Sequence, residues 1–317
     1  MLDEIWAITS YFNPMRWRRR SANFQVFRQH LQFPLIAVEL GFGDGFDLKS
    51  DDAEILLQLT GGDIVWQKER LLNLALEALP KSCSSVVWID CDVIFQQTDL
   101  AEQISRQLER APLVQLFSRV HDLEPDAALE DWRTRAAVPR QSIPFKLAQG
   151  MSAADCLGKH LSGQLGVRSP GHAWAVRKEL IAKHGFYDSG IIGGGDEAIA
   201  CAAYGVFEEV VRLEYMNQRQ VDRYVAWAEP FHESVQGNVS IVEGDLLHLW
   251  HGEPANRQWF QRHSDMQPYQ FDPFIDIAHS ETKCWRWNTA KPALHEYVRG
   301  YLFSRQEDEP VPDVALA

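Results

Sequence analysis

Two aspartates, Asp90 and Asp92, stand one residue apart directly after the apolar run Ser85–Ile89 (SVVWI). On an extended chain alternate side chains share a face, so the two carboxylates are expected to address one ligand together. Such charges repel unless a cation joins them. A hard divalent ion, Mn2+ or Mg2+, takes carboxylate oxygens together with substrate phosphates. A D-x-D triplet recurs by chance in many chains; its place at the end of a buried strand is what points to a site. A further metal ligand is expected from Leu247–Gly252 (LHLWHG), as His248 or His251, because imidazole suits Mn2+ and its neighbours. Three residues apart on a regular strand means opposite faces. One histidine is therefore expected to bind, His251 ahead of His248, since Gly252 beside it lets backbone approach a phosphate.

The run Gly193-Gly194-Gly195-Asp196-Glu197 opens a helical pattern. Capping by Asp196 and a favourable dipole contact by Glu197 would already account for two acids there. Three glycines add something else: they remove bulk beside a carboxylate, as a close-fitting sugar requires. Gly194 and Gly195 are thus candidate sugar contacts, and Glu197 or Asp196 a candidate general base toward an acceptor hydroxyl. Lys68, Arg70 and Asn73 lie on the polar side of the helix before the Asp90 strand, where a solvated face is the ordinary explanation. Among the tryptophans, Trp259, Trp285 and Trp287 read as core, and Trp174 and Trp250 are expected near the site.

These residues need a scaffold. Ile5–Tyr11 reads as a strand stopped by Asn13-Pro14, with a helix over Ser21–Leu31. Pro34–Leu40 is a second strand, followed by the glycine-rich Gly41–Gly45, and Asp51–Leu59 a shorter strand. The stripe Leu71, Leu72, Ala75, Leu76, Leu79 marks a helix over Ile64–Leu79, ended by Pro80. Ser85–Ile89 then leads into Asp90. The alternation of strand and helix predicts an α/β fold, with a mainly parallel sheet flanked by helices and a ligand beyond the carboxyl ends of its strands. Later, Gln149–Gly166 suggests a mobile loop, His172–Val176 an apolar strand, Lys178–His184 and Ala198–Tyr204 helices, and Asp245–Trp250 a late strand. The last dozen residues are expected to form a frayed tail.

A chain of 317 residues with 45% apolar and 24% charged residues is that of a folded globular protein. Its net charge of −13 argues against nucleic acid as a partner and gives no attraction to an anionic membrane. The basic stretch Met15–Arg20 is too short for a nucleic-acid arm. No signal pattern and no run of about 18 apolar residues is present, so no membrane span is expected, and a cytoplasmic location is. Five cysteines without CxxC spacing fit reduced thiols and indicate no zinc site.

In this order of motifs the chain resembles nucleotide-sugar glycosyltransferases of the A-type fold (GT-A), in the style of the β-1,4-galactosyltransferase and polypeptide N-acetylgalactosaminyltransferase catalytic regions. The matching stretches are Ser10-Tyr11-Phe12-Asn13-Pro14 with Arg18 to Arg20, Glu39 closing the second strand, and Lys68-Glu69-Arg70-Leu71-Leu72-Asn73. They continue with Asp90-Cys91-Asp92, Gly171-His172-Ala173-Trp174, Gly185-Phe186, Gly194-Gly195-Asp196-Glu197, and the late histidine. The aromatic residue that precedes the glycines in galactosyltransferases is missing, replaced by Ile191-Ile192-Gly193.

The resemblance implies a single Rossmann-like catalytic domain over 1–262, with a nucleotide-binding half about 1–100, an acceptor half about 101–262, and an irregular extension and tail over 263–317. It implies nucleotide contacts from Ser10, Tyr11, Asn13, Arg18, Glu39, Lys68, Asn73 and Asp90. Asp92 and one histidine would hold Mn2+ or Mg2+. The partners would be a nucleotide-sugar donor, UDP-linked, and a carbohydrate or other hydroxyl acceptor, as in bacterial polysaccharide synthesis. A sugar-1-phosphate nucleotidyltransferase is the rival enzyme, but Tyr11–Arg20 lacks its glycine-rich phosphate loop. A catalytically inactive nucleotide-sugar or carbohydrate-binding protein is the rival from another class.

Overall fold

The computed structural model describes residues 4–43, 45–125, 127–135, 138–158 and 168–308. In chain order the strands are β1 (Ile5–Phe12), β2 (Leu35–Leu40), β3 (Ile55–Leu59), β4 (Ser85–Ile89), β5 (Val93–Phe95), β6 (Leu113–Gln115) and β7 (Arg119–Asp122). They continue as β8 (Arg140–Ser142), β9 (Arg168–Ser169), β10 (Ala173–Arg177), β11 (Val239–Ile241) and β12 (Asp245–His248). Seven of them form one sheet in the order β11-β6-β10-β4-β1-β2-β3, in which β10 alone runs antiparallel.

The central strands are mostly apolar, Thr9, Ser10 and Glu39 excepted, because both faces of the sheet are covered. Alternate residues divide between two cores. Ile8, Phe12, Ile36, Val38, Val86, Trp88, Trp174 and Val176 face one side with the helix Lys68–Glu77. Ala7, Tyr11, Leu35, Ala37, Val87, Ile89, Ala173 and Ala175 face the other, with the helices Arg18–His30 and Leu100–Leu108. The protein is therefore a mixed α/β fold around a mostly parallel sheet.

A second sheet, β5-β12-β7-β8-β9, stands beyond the carboxyl end of β4. Its strands have two to four residues, too short to show a period in sequence. Residues 263–308 supply the helix Pro292–Ser304 and the hairpin β13 (Ile277–His279) and β14 (Trp285–Trp287). Ile277, Cys284, Trp285, Leu294 and Val298 join the first core. The helix expected from Ile64 begins at Lys68, after a stretch tied to other segments: Trp66 N–H donates to Ile191 O at 2.9 Å, and the Gln67 side chain bonds the backbone of Trp285 at both N (2.9 Å) and O (2.7 Å).

Of the loop expected at Gln149–Gly166, positions 159–166 lie outside the described residues. Positions 149–158 include a short helix, Ala153–Leu157, capped by Ser152. Of the expected tail, positions 309–317 lie outside the described residues. Gln306–Asp308 turn back into the protein, and Glu307 is fully buried. No helix among the described residues is long and apolar enough to cross a membrane.

Candidate active site

The chain does not stay extended through Asp90-Cys91-Asp92. Strand β4 ends at Ile89, and Cys91 and Asp92 form a turn before β5 begins at Val93. The two carboxylates therefore take different partners. Asp90 accepts from Lys68 Nζ at 2.6 Å, while Asp92 faces His251 Nε2 at 3.2 Å and His248 Nε2 at 3.8 Å.

Both histidines reach Asp92, contrary to the expectation that one would point away. The strand that would have opposed them stops at His248, and the chain turns through Gly252 at φ +92°. Their Nε2 atoms lie 3.0 Å apart. One ligand atom from each of Asp92, His248 and His251 falls within 4.8 Å of the others, a cluster that excludes Asp90. Asp92 Oδ1 is buried with no hydrogen-bond partner, and an orphaned carboxylate oxygen beside two imidazole nitrogens is a donor set that fits Mn2+.

Each histidine has a partner behind it. His248 Nδ1 lies 2.7 Å from Asp122 Oδ1, and Arg140 donates to the same carboxylate. Burial would push the Asp122 carboxyl up, but the bond with His248 and the charge of Arg140 outweigh it and hold it well below the usual carboxylate range. His251 Nδ1 lies 3.7 Å from Glu307 Oε2, and Arg257 Nη2 sits 2.8 Å from the ring. Burial, aided by the Arg257 charge, pushes His251 down to about 3, which leaves the ring neutral as a ligand must be. Glu307 is gripped by Arg20 through Nε and Nη2 and by Arg305 Nε at 2.6 Å. Sequence reasoning missed Asp122, Arg140, Arg257 and Glu307. His172 lay inside a quoted motif; it is part-buried at φ +74° with its ring 4.7 Å from that of His248.

On the other side of Asp90, Lys68 Nζ also holds Asp196 at 3.0 Å, so one ammonium joins the β4 turn to the start of the helix Gly195–Tyr204. Glu197 Oε1 accepts from the buried Arg168 at 2.6 Å, leaving Oε2 buried and unpartnered. The room freed at the glycines is already taken. A Cβ on Gly194 would lie 2.0 Å from Glu214 Oε1, and one on Gly195 2.1 Å from Glu69 Oε1. On their Cβ side these glycines accommodate buried carboxyl groups of the chain itself. The aromatic ring beside Gly193 comes from Trp66, which also lies under the Arg305 guanidinium.

At the ends of β1 and β2 a narrow crevice is lined by Tyr11, Asn13, Arg16, Glu39 and Asp47. Asp47 accepts from Tyr11 OH at 2.9 Å and Asn13 Nδ2 at 2.8 Å. Glu39 accepts from the backbone N–H of Leu48 and from Gln58, so its carboxylate shapes the crevice from within the protein. Ser10 lies within β1, two residues before its end, its carbonyl facing Cys91 Sγ.

Two expected contacts, Asn73 and Trp174, are engaged within the protein. Asn73 spends its amide on Phe186 N, Phe186 O and Asp188, fastening the turn at Gly185, so no donor is left for a nucleotide. Trp174 is 1% exposed, stacked on Trp88 at 5.9 Å, and its indole N–H is satisfied by Pro170 O; it is core because β10 pairs with β4. Arg18 points to solvent with Asp308 at 3.8 Å. Trp250 is half-buried beneath the Arg19 guanidinium, near the histidines.

No protein-family profile and no curated protein matches the chain. Solved structures do. A glucosyl-3-phosphoglycerate synthase from Mycobacterium tuberculosis, in complex with Mn2+, UDP and phosphoglyceric acid, aligns over 97% of this chain and 80% of its own at 13% identity, TM-score 0.42. The mannosyltransferase PcManGT from Pyrobaculum calidifontis, with GDP-Man and Mn2+, aligns over 98% and 77% at 12% identity, TM-score 0.43. S. aureus TarS 1-349, with UDP-GlcNAc, aligns over 62% and 52% at 10% identity, TM-score 0.36.

Proposed function

We propose that this chain is a metal-dependent glycosyltransferase that moves a sugar from a nucleoside-diphosphate donor to a hydroxyl of a carbohydrate acceptor. The observation that carries the reading is the convergence of Asp92, His248 and His251 beyond the carboxyl end of β4, with an unsatisfied Asp92 oxygen among them. In an open parallel sheet that edge is where ligands bind.

Asp92, His248 and His251 would hold Mn2+ or Mg2+, which supplies Lewis-acid stabilisation of a departing diphosphate when bound. The crevice of Tyr11, Asn13 and Glu39 would take the base, with Ser10 in the same strand as Tyr11. Asp90 and Lys68 would face ribose or the donor sugar, and Trp250 the acceptor side. Arg20 and Arg257 put positive charge where phosphates would lie. Asp196 is the better base of the two helix acids: a third of its side chain is exposed, whereas Glu197 is fixed to the buried Arg168.

Thermal shifts with UDP- and GDP-sugars, with and without Mn2+, test this. Asp92→Asn should abolish the Mn2+-dependent shift while the circular dichroism spectrum stays that of the wild type. An undiminished shift in that variant would overturn the metal assignment. Tight nucleotide binding with neither donor hydrolysis nor transfer to any glycan would instead identify a binding protein.

A further inference from the structure

We infer that Asp122 is a positioning residue for His248, setting the ring's tautomer and direction so that its Nε2 lone pair faces the metal position. The inference rests on the metal reading above. Strands β7 and β12 are parallel, and Asp122 stands directly opposite His248 in their register. The pairing is fixed by backbone as well, Leu123 N–H donating to His248 O at 2.9 Å.

From that position Asp122 Oδ1 lies 2.7 Å from His248 Nδ1. Its other oxygen accepts from Arg140 Nε at 2.8 Å, and Arg140 Nη2 is also 3.2 Å from His172 Nε2. A carboxylate oriented by arginine can only accept, so the proton of a neutral His248 is placed on Nδ1. Nε2 is then the lone-pair nitrogen, and it is Nε2 that lies 3.8 Å from Asp92 and 3.0 Å from His251 Nε2. A ligating imidazole whose far N–H is held by a carboxylate is fixed in tautomer and made more basic, and loss of such a partner typically weakens metal affinity about 10–100-fold. A plain sheet-stabilising ion pair would have no such effect. The same sheet offers a control in Asp245, which pairs with Arg119 and His121 at 2.9 Å each and has no contact with His248 among the described residues.

The test is Mn2+ affinity by titration calorimetry and the electron paramagnetic resonance spectrum of bound Mn2+, on the full chain without donor. Asp122→Ala should bind Mn2+ about 10–100-fold more weakly than wild type with an altered spectrum. Asp122→Asn, which can still accept from Nδ1 but carries no charge, should fall between, and Asp245→Ala should match wild type. Wild-type affinity and spectrum in Asp122→Ala, or an equal loss in Asp245→Ala, would overturn the inference alone. If Asp122→Ala does not fold, Asp122→Asn decides, and wild-type affinity there overturns it. A wild type that binds no Mn2+ would overturn the metal reading and this inference with it.

Discussion

Glu69 and Glu214 fill the space above Gly195 and Gly194, and burial pushes each carboxyl up to about 8. A folded-state value above the unfolded one near 4.5 means that the native protein holds more protons between the two. The stability that these two carboxyls contribute should therefore be lost as pH rises from about 5 through 8, while the lowered His251 works the opposite way at the acid end of that window. Denaturant midpoints of Glu69→Gln and Glu214→Gln should rise relative to wild type as pH increases across it. Gly195→Ala should cost about 1–3 kcal/mol by overpacking against Glu69, a loss that Glu69→Ala in the same chain partly relieves; strictly additive effects would contradict the steric account. None of this was legible in sequence. The glycines were visible, but their partners are 126 and 20 residues away by position number, and only the fold says whether a sugar or a glutamate takes the room. The histidines were found by type, and the expectation that they diverge failed only because β12 ends at the first of them.

Elements with both faces buried were the easiest to read. β1, β2 and β4 are dominated by apolar and β-branched residues, and the parallel sheet follows from them. The three-residue strands β5, β6, β8 and β11 hold too few residues for any period. The 18-residue helix Gln218–Val235 was not read either: Pro230 lies inside it, although Asn217 and Gln220 form a capping box at its start. The pairing of β10 with β4 decides the fate of Trp174. Trp174→Ala should cost about 3–5 kcal/mol in chemical denaturation, as core truncation does, whereas Trp174→Phe should leave donor affinity within measurement error. Asn73→Ala should likewise cost about 1–3 kcal/mol through the unsatisfied Phe186 groups, and nucleotide binding to the folded variant should not change.

At the scale of the molecule, a chain with net charge −13 sets half-buried Arg20, Arg140 and Arg257 and buried Arg305 around its histidine cluster. Arg20, Arg305 and Glu307 form the contact that closes this region, joining the first helix to the segment after the last one. Burial raises a lone carboxyl, yet the two arginines hold Glu307 well below the carboxylate range, so the group is an anion in the interior. Glu307→Ala should cost about 3–5 kcal/mol, because buried Arg305 and half-buried Arg20 lose their partner, and it should lower the melting temperature measurably. A second effect is expected on Mn2+ affinity, since Glu307 also flanks His251. The same ring of contacts has a consequence for synthesis. Arg20 leaves the ribosome early and Glu307 far later, so a polypeptide interrupted between them cannot lock the clasp. The region around His251 would close only once that late segment has folded back onto the first helix.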